Sequence, residues 1–198
     1  MTSYQVISLS CPSCGAGVST SHKNCEYCRN PIVITTLSSI QSMPFPEVNK
    51  YANSYRKTLV DNPDNKEING SLAMCYMRLK LYDKAIPAFE KAIENNFDNP
   101  ETFFYAAVCL LKGKKAFVAQ RADIDKIEEY LNAALMIEPK GIYYYFQSYI
   151  KHDYFHRKYL NTTPTYQEAL SLAQDLGVSD SDIEQLYSLL EVPRPEYL

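Results

Sequence analysis

The chain has 198 residues, 46% of them apolar and 22% charged, with no tryptophan, enough for one fair-sized core or for a small module beside a larger one. That composition excludes a disordered or collagen-like chain. The longest uncharged apolar run, Phe103 to Leu111, is 9 residues where a bilayer helix needs about 20. The opening MTSYQVISLS has neither a basic n-region nor an apolar h-region, so a soluble, cytoplasmic protein with no membrane span is expected. The net charge of −3 is uneven: residues 161–198 carry one positive charge, Arg194, against seven negative, leaving +3 on the preceding residues.

Four of the six cysteines fall within the first 28 residues, and a reducing compartment favours metal ligation or burial over disulfides. Cys11-Pro12-Ser13-Cys14 and Cys25-Glu26-Tyr27-Cys28 form a CxxC-x10-CxxC pattern. Two such turns bring four thiolates around one ion, and four thiolates close a tetrahedral shell. The expected cofactor is one structural Zn²⁺ held by Cys11, Cys14, Cys25 and Cys28; an iron–sulfur cluster shares the ligand set. The β-prone runs Tyr4–Leu9 and Pro31–Thr35 bracket the two turns. With these knuckles, CPSCG and CEYC, residues 4–35 resemble the zinc ribbon family. Where that family usually has a glycine after the last cysteine, this chain has Arg29 and Asn30, and Asn30 is expected to take the left-handed position. His22 reads as a solvated loop residue.

Residues 36–46 are Ser/Thr-rich and end in Pro44 and Pro46, and they read as a linker. Everything beyond has helical period. Leu72, Ala73 and Tyr76 precede Ala85, Phe89 and Ala92, small residues that let two antiparallel helices approach while the aromatics fill the space around them. The pattern resembles the tetratricopeptide repeat, L-G-x2-Y followed by A-x3-F-x2-A, with Ala73 in place of its glycine. A shift of 34 carries Ala73 to Ala107 and Cys75 to Cys109, which begins a second repeat; its second helix, with Ile127, Leu131 and Ala134, follows an expanded turn. Tyr143, Phe146, Gln147 and Ile150 begin a third unit, and Ala169, Ala173 and Leu176 belong to its second helix after another expansion. Tyr51, Tyr55 and Thr58 suggest a lone helix upstream, and a last helix opened by Ser181 with Glu184 as its capping box closes the array. The expected fold is mainly α: a helical-hairpin (TPR-like) solenoid over residues 47–198, preceded by a small β zinc ribbon at 1–35.

The repeat resemblance implies a groove lined by the first helices. Carrying its register across gives one column of Arg78, Lys112 and His152 and another of Met74, Val108 and Ser148, beside Met77, Leu111 and Lys151 and the pair Phe104 and Tyr144. An apolar groove with a basic stripe suits a peptide with hydrophobic anchors and carboxylates. Glu67 and Glu101 stand where carboxylate-clamping members of the family carry lysine, which disfavours that use. The two expanded turns are basic, and Lys114, Lys115, Arg121, Arg157 and Lys158 form a candidate edge for an acidic protein segment, for phosphate, or for the chain's own acidic tail. Eight aromatics between residues 143 and 159 have spacings that suit core packing. His152 and His156 have ligand spacing but no third ligand, and Cys75 and Cys109 read as buried free thiols. There is no phosphate loop, nucleophile elbow or HExxH. The sequence thus points to a non-catalytic adaptor that binds a protein or peptide. The alternative is a nucleic-acid-binding regulator that uses ribbon and basic edge together.

Overall fold

The computed structural model describes residues 6–36, 38–94, 96–196 and 198; Tyr4 and Gln5 of the first β-prone run and Leu37 of the linker lie outside them. The chain divides into two compact units, Met1–Asp98 and Asn99–Leu198.

In the first unit β1 (Ser8–Ser10) pairs antiparallel with β2 (Gly17–Ser19), Leu9 opposite Val18. Among the described residues of the ribbon, 6–35, the buried aliphatics are Ile7, Leu9, Ile32 and Ile34, few for a module of this length. A short helix, α1 (Ser38–Gln41), lies within the stretch read as a linker and buries Ile40. Prolines at the entry start α2 (Phe45–Asp61), because a missing N–H costs nothing in the first turn. Val48, Tyr51, Ala52 and Tyr55 form its buried stripe at helical spacing.

The chain then makes a hairpin of α3 (Lys66–Arg78) and α4 (Tyr82–Ile93). Asn65 caps α3 by accepting the Ile68 N–H at 3.0 Å, and Lys80, with φ 59°, makes the reversal. Ala73, Ala85, Phe89 and Ala92 are all buried, as their spacing requires, and a Cβ on Gly70 would meet the Ala92 methyl at 3.7 Å.

In the second unit α5 (Pro100–Leu110) pairs with α6 (Arg121–Ile137), with a 3₁₀ turn at Ala116–Val118 inside the expanded connection. Asn99 caps α5, 34 residues after Asn65 caps α3. The third hairpin joins α7 (Gly141–Ile150) to α8 (Tyr166–Asp175). A π-helical segment, Lys151–Phe155, and a 3₁₀ turn, His156–Lys158, extend α7. Of the eight clustered aromatics, Tyr143, Tyr145, Phe146, Tyr149, Tyr154 and Phe155 are buried, Tyr144 is half-buried and Tyr159 is 96% exposed. Packing therefore absorbs the aromatic run, apart from its last member. The final helix, α9 (Asp180–Leu190), begins earlier than expected. Its capping box is Ser179 with Asp182, not Ser181 with Glu184: Ser179 Oγ accepts the Asp182 N–H at 3.1 Å and the Asp182 carboxylate receives the Ser179 hydroxyl at 2.6 Å. Both serines satisfy the pattern, and the hydrogen bonds of Ser179 with Asp182 decide the start, which puts Asp180 and Asp182 in the first turn at the helix N-terminus.

Gly141 sits where α7 meets the end of α8, and a Cβ there would lie 2.9 Å from both Ala173 O and Val178 N, two backbone atoms that cannot swing aside. Gly141→Ala is expected to lower stability by about 1–3 kcal/mol in denaturant titration. Gly17→Ala, whose Cβ would meet nothing within 4 Å, serves as the matched control and stays within about 0.5 kcal/mol.

Candidate functional site

Cys11, Cys14, Cys25 and Cys28 converge, their sulfurs all within 4.8 Å of one another. Cys11 Sγ lies 3.7 Å from Cys28 Sγ, and Cys14 Sγ 3.8 Å from Cys25 Sγ. A tetrahedral ion with metal–sulfur bonds of about 2.3 Å requires sulfur–sulfur edges of about 3.8 Å, so the cluster fits one ion with no position left over for water or substrate. The two knuckles repeat one pattern. Gly15 N–H donates to Cys11 O and Arg29 N–H to Cys25 O, each at 2.9 Å, and Cys11 and Cys25 close the turns through Ala16 O and Asn30 O. This pattern puts the left-handed residue directly after the second cysteine of each knuckle: Gly15 has φ 80° and Arg29 φ 65°. The expectation for Asn30 is thereby corrected, since the hydrogen bonds set the turn whatever side chain occupies it. Asn30 Nδ2 instead donates to Ser13 Oγ at 2.7 Å and ties one knuckle to the other. Burial pushes the Cys11 thiol up to about 12, while the Cys28 backbone N–H brings the Cys25 thiol down to about 7.

Hydroxyls of α2 hold the ribbon. Tyr51 donates to Pro31 O at 3.0 Å, Ser54 to Ser10 O at 2.9 Å and Tyr55 to Ile32 O at 2.9 Å, all from one helical face. Sequence reasoning read Tyr51 and Tyr55 only as repeat-type packing; the signal it missed was a polar tip on otherwise apolar positions. The following segment runs along α3, where Ser71 Oγ accepts the Ile34 N–H at 3.1 Å and lies 3.0 Å from Ile34 O. Further along the same stripe, Arg78 donates to Gln41 O at 3.3 Å and its guanidinium lies 4.6 Å over the Phe45 ring.

Of the residues assigned to the groove, Met74 and Met77 are buried in the first unit and Arg78 is half-buried. In the second unit Phe104, Val108, Ser148, Lys151 and His152 are buried, Tyr144 is half-buried and Lys112 is exposed. Phe104 packs against Tyr143 and Phe146, with ring centres at 4.8 and 5.8 Å. Lys151 pairs with Glu128 and donates to Thr162 Oγ1 at 2.6 Å, and Ser148 Oγ donates to Tyr166 O at 3.0 Å. His152 stacks on His156 and meets the Tyr166 edge; burial, then the neighbouring His156, holds its pKa below the usual histidine value. Burial also pushes the thiols of Cys75 and Cys109 well above the usual range, which suits inert core residues.

The basic-edge residues Lys114, Lys115, Arg121 and Arg157 are exposed and Lys158 is half-buried. Arg121 pairs with Asp125 at 2.8 Å, Arg157 pairs with Asp153, and Lys158 lies 3.6 Å over the Tyr154 ring. Lys115 and Arg157, from the two expanded turns, line one cleft of about 570 Å³ together with His156, Tyr159 and Arg194.

Residues 69–99 match the tetratricopeptide repeat family model. That stretch is most of α3, all of α4 and the cap of α5. No curated protein matches the chain. Among solved structures the chain is similar to MamA MSR-1 C2, at 21% identity and a TM-score of 0.48, over 65% of this chain and 67% of that one. The helical hairpins described above, with the repeat match at 69–99, make the fold mainly α and tetratricopeptide-like, with a small two-stranded sheet ahead of them. Among the described residues no helix is long and apolar enough to cross a membrane.

Tyr55→Phe removes the donor to the buried Ile32 carbonyl without changing volume. The expected loss is about 1–2 kcal/mol by thermal or denaturant unfolding.

Proposed function

We propose that the chain is a non-catalytic adaptor that holds a protein or peptide partner through its helical hairpins, with a structural Zn²⁺ in the ribbon. The observation that carries this reading is the repeat match at 69–99, seated on a helical hairpin, since repeats of this kind are typically scaffolds. A four-thiolate site with matched sulfur edges supports Zn²⁺ bound for stability, because it keeps no open position for chemistry. The ion would contribute folding energy to a module with few buried aliphatics. Four free thiols at this spacing suit a reducing compartment, in keeping with a cytoplasmic location.

Lys112 and Tyr144, in the second unit, reach the surface and would meet the partner directly; Arg78, in the first, is half-buried against Gln41 O and the Phe45 ring and would meet it through its remaining donors. Met74 and Met77 are packed within the first unit, and Phe104, Val108, Ser148, Lys151 and His152 within the second, where they would support the exposed positions of their own unit. The cations of the basic edge favour an acidic partner.

Purified protein is expected to hold one equivalent of zinc by elemental analysis, and Cys11→Ser with Cys28→Ser is expected to abolish it and unfold the ribbon. Retention of zinc by that variant would overturn the assignment. Affinity capture from nuclease-treated lysate should retain a protein partner, and Arg78→Glu with Lys112→Glu should weaken its retention about tenfold or more. A complex that disappears on nuclease treatment would instead favour nucleic acid as the partner.

A further inference from the structure

The two expanded turns, far apart in sequence, end at the same cleft in the second unit. A buried carboxylate makes the join. Asp153, 3% exposed in the π-helical segment after α7, accepts the Phe117 N–H at 2.8 Å, lies 3.5 Å from Tyr149 Oη and pairs with the Arg157 guanidinium. Asp153 thus anchors the 3₁₀ turn of the first expansion to the helix extension of the second. We propose that this cleft binds the oxyanion side chains, carboxylate or phosphate monoester, of an acidic protein segment, a role that rests on the adaptor reading above.

Arg157 is set in place before any ligand arrives. Its edge is held by Asp153 and its face lies 4.4 Å from the centre of the Phe117 ring. A planar fork of five donors, with one engaged by a carboxylate oxygen, keeps others for an incoming oxyanion, and fixing the plane in advance removes an ordering cost from binding. Lys115 has no ion-pair partner among the described residues; Arg194 makes a weak contact to the exposed Asp180 at 3.7 Å, and its Nε donates to Leu198 O at 2.7 Å, which leaves its remaining N–H groups for a ligand. Tyr159 stands beside these cations in a left-handed conformation at φ 57°, costly for a bulky residue, with its ring almost fully in water. Glu196, the remaining acid of the cleft wall, also has no partner among the described residues.

Charge decides between a short acidic segment and a nucleic acid. Residues 99–198 hold ten Lys and Arg against fourteen Asp and Glu, a net −4. A long polyanion is repelled by most of this surface, whereas a segment that fills 570 Å³ meets only the local cations.

The test is fluorescence anisotropy on the full zinc-loaded chain with three labelled probes: a glutamate-rich hexapeptide, its phosphoserine counterpart and a hexauridylate. At least one peptide should bind, and comparing the two identifies carboxylate or phosphate as the source of the oxyanion. Lys115→Glu, at an exposed position, and Arg194→Ala, which also gives up the Nε contact to Leu198 O, should each weaken binding about tenfold. Arg157→Lys, which keeps the charge but loses the fork, should fall below wild type. Glu196→Gln should tighten binding about threefold, an effect that mere structural damage would not produce. Absence of peptide binding at millimolar concentration, unchanged affinity in Lys115→Glu and Arg194→Ala, or tighter binding of hexauridylate than of both peptides would each overturn the proposal. A captured partner that Lys115→Glu does not release leaves the adaptor standing and removes the cleft. Peptide binding lost in these variants with no partner captured from lysate does the reverse.

Discussion

Close approach of two helices is possible only where neither presents bulk, and every hairpin of this chain depends on that constraint. Gly70 and Ala92 meet in the first hairpin, Ala107 and Ala134 are fully buried in the second, and in the third Gly141 lies against the backbone at the end of α8. Once the backbones are that close, large side chains can fill only the flanks. Phe89, Phe104, Phe146 and the buried tyrosines go there, and the polar tips of several of those tyrosines must then find partners or stay dry. The burial of most positions assigned to a groove follows from the same tightness.

The ribbon is governed by a different economy. It has few aliphatics of its own, so its geometry rests on four sulfurs at one point and on hydroxyls from α2 at another. Left-handed φ at Gly15 and Arg29 belongs to the knuckle hydrogen bonds, and Arg29 accepts a conformation that glycine adopts more cheaply. The segment after the ribbon runs on along α3, bonding Ser71 and Arg78 through its backbone as an extended peptide would. The first unit therefore uses part of its own helical surface to hold its own chain.

Legibility from sequence varied with the range of the interaction. Metal-ligand spacing, the 34-residue shift and the helical stripes are local or periodic, and they placed the cysteine cluster, the three hairpins and the fate of Cys75 and Cys109 correctly. The start of α9 was misread by two residues because Ser179 and Ser181 both begin an acceptable capping box, and only the hydrogen bonds between Ser179 and Asp182 separate them. The repeat register assigns Lys151 to the groove, yet it is buried with Glu128 and Thr162, an arrangement that depends on side chains brought in from other elements.

By itself the sequence determined the four-cysteine cluster, the mainly α character and the repeat register, because each is set by spacing within a few turns of chain. It also determined that the expanded turns are basic. Only the tertiary structure decided that Lys115 and Arg157 face one cleft, that Asp153 joins their turns and that Tyr159 stays outside the core its neighbours fill. The physical reason is that a π-helical segment and a buried carboxylate set these positions through long-range hydrogen bonds, which leave no period in the sequence.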